Sequence, residues 1–104
     1  MKKKLTYYLV IFTYPPSKAK EVGQAFLSGK APKLPEYVTQ EKVFVVLDSE
    51  IKNYVLYEVK DDKAHEGLIA IANRFTGYFY IEGTRFKIEH LLTTREALPL
   101  IGLQ

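Results

Sequence analysis

Apolar residues follow two different periods along this chain, and the switches between them mark its elements. Tyr7–Tyr14 is a run without a charged side chain, ended by Pro15-Pro16, which cannot extend a ladder and preset φ for a helix start. Beyond it Ala19, Val22, Ala25 and Phe26 recur at helical spacing, predicting a helix over Ser17–Ser28 capped by Ser17 and closed by Gly29. Gly23 sits inside that helix at a cost of about 1 kcal/mol against alanine, which points to a close approach to a sheet. Gly29–Gln40, with Pro32 and Pro35, reads as a connector. Val43–Leu47 and Asn53–Val59 read as a hairpin, set in the flanks Glu41–Asp48 and Lys52–Lys60 around the polar turn Asp48-Ser49-Glu50.

The second helix, Asp62–Thr76, carries Ala64, Leu68, Ile71, Ala72 and Phe75 on one stripe, with Asp61 or Asp62 as its cap and Gly77 as a left-handed terminator. Tyr78–Ile81 is either a short extra strand or an extended connector, turning at Glu82-Gly83-Thr84 into a last strand, Arg85–Leu92. Thr94–Leu98 reads as a capped turn stopped by Pro99, with Leu100, Ile101 and Leu103 expected to pack back on the body. The resulting βαββαβ order is that of the ferredoxin-like split βαβ plait, an α+β fold with two helices on one face of an antiparallel sheet. At 104 residues the chain makes one domain, residues 1–104, with a single core.

The strands carry a further expectation. An antiparallel sheet wetted on one face alternates apolar and polar residues. Here Tyr7–Tyr14 is uncharged, Val43–Leu47 is wholly apolar, and Tyr54–Tyr57 offers only tyrosine hydroxyls. Both sheet faces therefore call for cover, and two short helices supply it on one. A second copy of the same sheet is the simplest cover for the other, because two-fold dimers are the commonest assemblies and a large bare apolar patch is rare on monomers. The expected partner is the chain itself, in a homodimer through the sheet face.

Composition narrows the chemistry. The chain has no cysteine, which removes disulfides, thiolate metal sites and cysteine nucleophiles. The net charge is +3, and three of the fifteen basic residues are Lys2, Lys3 and Lys4, so the charge argument for nucleic acid is weak. Lys2–Lys4 followed by Leu5–Tyr14 imitates a signal peptide, but secretory cores are rich in Leu and Ala, and cleavage after Ser17-Lys18-Ala19 would delete the first strand. No run approaches the ~20 apolar residues of a membrane span. The expectation is a cytoplasmic protein without membrane contact.

The stretch Tyr8-Leu9-Val10-Ile11-Phe12-Thr13-Tyr14 followed by prolines, and the end Ile88-Glu89-His90-Leu91-Leu92-Thr93-Thr94-Arg95-Glu96-Ala97-Leu98, resemble small uncharacterised members of the dimeric α/β-barrel superfamily. The resemblance spans nearly the whole chain and implies two plaits packed sheet to sheet as a dimeric α/β barrel. That superfamily includes cofactor-free monooxygenases, lactone isomerases, haem-handling enzymes and amino-acid-sensing regulatory domains, and fold alone does not choose among them. The absence of tryptophan argues against the haem-degrading branch.

Candidate chemistry is sparse. His90 shares a strand face with Phe86 and Ile88, and Glu58 with Tyr54 and Leu56; the flanking of strand 1 by both strands places the two as a candidate proton-transfer pair. Tyr8, Phe12, Tyr14 and Tyr54 are the candidate ligand-binding residues. Against these stand ordinary structural roles: a backbone-satisfied histidine, and a glutamate that ends its strand in water or beside Lys60. Asp62, His65 and Glu66 share a helix surface, but Ile69 occupies the position of the second zinc-binding histidine, so no metal and no cofactor are expected. Strand 3 lacks the basic-Gly-aromatic-Gly pattern of RNA-recognition domains, and neither a phosphate loop nor a nucleophile elbow is present. The leading expectation is a small-molecule binding or regulatory module. The alternatives are a cofactor-independent enzyme using His90 and Glu58, and a purely structural assembly domain.

Overall fold

The computed structural model describes residues 4–29 and 31–103. Four strands form one antiparallel sheet in the order β2-β3-β1-β4: β1 is Leu5–Tyr14, β2 Val38–Leu47, β3 Ile51–Lys60 and β4 Arg85–Leu91. Helices α1 (Ala19–Leu27) and α2 (Ala64–Thr76) connect β1 to β2 and β3 to β4, so each βαβ unit is split by a strand of the other. This is an α+β arrangement compatible with the expected plait. A short α3 (Thr94–Ala97) follows β4.

Register assigns every strand position to a face. Tyr8 pairs with Tyr57 and His90, Val10 with Val55 and Ile88, and Phe12 with Asn53 and Phe86. These side chains point at the helices, where Tyr8, Val10, Phe12, Val55, Tyr57 and Val59 are buried with Ile71 and Phe75 of α2 and Val22 of α1. The ring of Phe12 lies 5.4 Å from that of Phe75 and 4.9 Å from that of Tyr78, an aromatic cluster that joins sheet to α2. The opposite face is open. It carries Tyr7, Leu9 and Ile11 in β1, Tyr54 and Leu56 in β3, Phe44 and Val46 in β2, and Leu91 in β4.

The hairpin turn falls at Asp48-Ser49-Glu50 as expected, spanned by Asp48 N–H donating to the Glu50 carbonyl at 3.2 Å, with Ser49 N–H donating to Asp48 Oδ1 at 2.8 Å. Strand β2 begins at Val38, taking in the last three residues of the stretch read as a connector. Its first half is polar because it lies at the sheet edge, and a bulge at Glu41 breaks the alternation that would have revealed it. Towards the turn Val45 and Leu47 point to the helix side yet are 53% and 79% exposed, so the hairpin end projects past the helical layer.

The helix ends differ from expectation. Both helices begin with a 3-10 turn, Pro16–Lys18 before α1 and Asp61–Lys63 before α2, and neither has a side-chain cap. Ser17 therefore lies inside its turn. Asp61 accepts a 2.7 Å hydrogen bond from the Thr6 hydroxyl, so its carboxylate ties β1 to the start of α2 and does not cap the helix. Gly29 does close α1 with φ +71°, whereas Gly77 keeps right-handed angles (φ −61°) because the chain continues as overlapping turns through Ile81. Tyr78–Ile81 is accordingly neither strand nor extended connector; Tyr78 and Ile81 are buried by those turns. The left-handed position is Gly83, with φ +88°, where a Cβ would stand 2.7 Å from the Pro15 ring.

After β4, Thr93 and Glu96 form a capping box over α3. Pro99 does not stop the chain's winding: it sits in the first turn of a 3-10 segment, Leu98–Ile101, where its missing N–H is not required. Leu100, Ile101 and Leu103 do not pack back on the body; they are 75%, 72% and 55% exposed.

Candidate functional site

A cavity of about 280 Å³ opens between the helix side of the sheet and α1. Its floor is Phe12 and Tyr14 of β1, Asn53, Val55 and Tyr57 of β3, and Gln40, Val43 and Val45 of β2. Val22, Gly23 and Phe26 of α1 form one wall, and Arg74 and Phe75 of α2 with Tyr78 form the other. The volume lies just below the ~300–1,000 Å³ found for small-molecule sites, and walls of this kind, apolar with a few convergent polar groups, are their usual chemistry.

The space exists because the layers are uneven. The β2–β3 hairpin is ten residues per strand and α1 only nine residues long, so the helix leaves part of the β2 floor uncovered. Val22 is the buried residue of α1, while Phe26, expected on the buried stripe, is 55% exposed and stands at the cavity wall. Gly23 is not a point of close approach: a Cβ there would meet nothing within 4 Å. Gly23→Ala is therefore expected to stabilise the protein by up to about 1 kcal/mol, since the helix gains propensity without a clash. A thermal melt checks it, with a rise in Tm of about 4–8 °C per kcal/mol in a domain of this size.

The polar groups are arranged around Tyr57. Its hydroxyl donates to Gln40 Oε1 at 3.3 Å, and burial pushes its pKa up to about 12, against the smaller opposing pull of the neighbouring Arg74 guanidinium. Tyr78 is raised for the same reason, burial first, with Arg74 again opposing. Both phenols stay protonated at neutral pH. Arg74 Nη1 donates to the Pro32 carbonyl at 2.9 Å, anchoring α2 to the α1–β2 connector. Among the described residues, no aspartate or glutamate lines the cavity.

The candidate residues from sequence divide sharply. Phe12 and Tyr14 line the cavity. Tyr8 faces the same side but is buried towards the start of α2, its hydroxyl donating to the Ala64 carbonyl at 3.0 Å. Tyr54 lies on the open face, paired with Ile11 and Phe44. The expected convergence of Glu58 and His90 does not occur within a subunit, because they belong to opposite faces: Glu58 pairs with Tyr7, His90 with Tyr8. His90 is exposed, its ring 4.9 Å from that of Tyr8. Glu58 has a raised pKa, from desolvation first and then from the hydrogen bond and repulsion of the Glu41 carboxyl. That pairing makes a carboxyl couple on the sheet surface, remote in kind from an imidazole–carboxylate relay.

Tyr57, Tyr78, Arg74, Gln40 and Asn53 were not singled out by sequence reasoning. For Arg74 and Tyr78 a signal existed, since they extend the Ile71–Phe75 stripe at helical spacing. For Tyr57 the parity of Val55 and Val59 pointed to the helix side, but tyrosines on both faces of β3 hid it.

Compared with protein-family models, with curated proteins and with solved structures, the chain matches none. No helix among the described residues is long and apolar enough to cross a membrane.

Proposed function

We propose that this protein is a small-molecule binding module that works as a homodimer. The observation that carries the binding reading is the cavity: apolar and aromatic walls border the Gln40–Tyr57–Arg74 group at the junction of sheet, α1 and α2. Burying apolar surface supplies affinity at roughly 25 cal/mol per Å², and a few fixed polar groups supply orientation. What supports the dimer is the open sheet face, where Leu9, Ile11, Tyr54 and Leu56 form an uncharged centre ringed by Lys52, Glu58, Lys87 and Glu89. Two such faces packed together make the dimeric barrel that the sequence resembles. The enzyme reading loses its proposed relay, since His90 and Glu58 lie on opposite sides of the sheet.

Binding is tested by calorimetric titration with 2-naphthol, a flat apolar probe small enough for the cavity. Wild-type protein is expected to bind one molecule per subunit, and Val43→Trp, which places an indole across the β2 floor at a half-exposed position, is expected to lower affinity at least about tenfold. Absence of binding at millimolar probe, or binding unaffected by Val43→Trp, overturns the reading.

A further inference from the structure

The cavity's charge is unbalanced. Arg74 is half-buried in its wall, and among the described residues no carboxylate lies within 4.0 Å of it; the ion pairs there are Lys18–Glu21, Arg85–Glu50 and Lys87–Glu89. The neighbouring phenol of Tyr57 does not compensate, because burial holds its proton far above neutral pH. A guanidinium is charged at every physiological pH and presents five donors in a planar fork; one nitrogen here is committed to the Pro32 carbonyl. That bond restrains the fork without neutralising it.

Donors outnumber acceptors among the remaining polar groups. Gln40 accepts the Tyr57 proton with Oε1, leaving its amide N–H groups, and the Asn53 amide makes only a long 3.5 Å contact with the Phe12 carbonyl. A cation in a mostly apolar, partly desolvated cleft is costly unless it meets an anion, and a charge-assisted bond in such a setting is roughly twice as strong as a neutral one. The rest of the surface is apolar and rich in rings, with the tilted rings of Phe12, Phe75 and Tyr78 within 4.9–6.2 Å of one another.

From this we infer that the ligand is an amphipathic organic monocarboxylate, its carboxylate held by Arg74 and its apolar, ring-sized body lying against the β2–β3 floor. The inference rests on the binding reading above and deepens it by naming the ligand class. The planar carboxylate matches the guanidinium fork, and the absence of acidic side chains around the cavity leaves nothing to repel it. An amine-bearing ligand of the same shape would meet like charge at Arg74, with no carboxylate among the lining residues to offset it.

The test compares two probes of the same size and shape, 2-naphthoate and 2-naphthamide, by calorimetry on the whole protein at neutral pH. Wild type is expected to bind naphthoate at least about tenfold more tightly than the amide. Arg74→Gln should erase that preference, and Arg74→Lys should restore part of it, since a point charge replaces the fork. A thermal melt of each variant reports whether loss of the Pro32 bond has disturbed the fold, and the wild-type comparison stands without either variant. Equal affinity for the two probes overturns the carboxylate inference but leaves the cavity reading in place. Binding of neither overturns both.

Discussion

Leu9→Lys is expected to split the proposed dimer of 12.0 kDa subunits into single subunits, halving its mass with the fold intact. Leu9 lies at the middle of the open sheet face, between Tyr7 and Ile11 on its own strand and level with Leu56 of β3 and Glu89 of β4. In a face-to-face dimer that point is desolvated from both sides, and stripping water from an ammonium and the Glu89 carboxylate beside it weakens association by several kcal/mol. Within the isolated subunit the same lysine is tolerated, because Glu89 stands directly across the strand pair and offers a counter-charge. The expected result is a rise in dimer dissociation constant of at least about 100-fold, with a melting temperature close to that of dissociated wild type. Sedimentation velocity across a concentration series reads it. Ile69→Lys, on the exposed outer surface of α2, should change nothing. Wild-type protein that sediments as a monomer at tens of micromolar, or a Leu9→Lys variant that still dimerises, removes the sheet-to-sheet arrangement.

This expectation was legible in the sequence because it depends on what the strands lack. Charge is missing from Tyr7–Tyr14 and Val43–Leu47 whichever way each residue points, so the demand for cover on two faces survives ignorance of the register. The element order and the α2 stripe were legible for a related reason: they rest on periodicity, a local property. The site was not, because it rests on parity. Moving a strand assignment by one residue sends every side chain to the other face, and β3 carries Tyr54 and Glu58 at one parity and Asn53 and Tyr57 at the other. Composition does not tell these sets apart. Helix starts failed for another reason: Asp61 had two uses open to it, a cap or a tertiary bond, and Thr6, 55 positions away in the chain, took it. Glycine was misread for the same cause, since the room for a Cβ is decided by whatever packs opposite.

That last point gives the other large effect. Gly67→Ala is expected to destabilise the protein by about 1–3 kcal/mol, the range for forcing a methyl into a filled core, where Gly23→Ala raises stability. Gly67 is buried on α2 above β3, and a Cβ built there would overlap both methyls of Val59. Val59 is fully buried and branched at Cβ, so its χ1 is stiff, and turning the Cβ hydrogen toward Gly67 drives a methyl into the packed core instead. The helix must then lift off the sheet, and Ile71 and Phe75 follow it because they sit on the same stripe. In a domain of this size the loss should lower Tm by about 4–8 °C for each kcal/mol. Removing the obstacle identifies the cause: in Gly67→Ala with Val59→Ala the new methyl occupies the space the valine vacates, and the double variant should be more stable than the sum of the single effects by about 1 kcal/mol or more. Additive losses, or a Gly67→Ala protein as stable as wild type, show that α2 does not seat on β3 at this glycine. A coupling of the expected sign fixes the helix against the strand that carries Tyr57, and with it the wall of the cavity that carries Arg74.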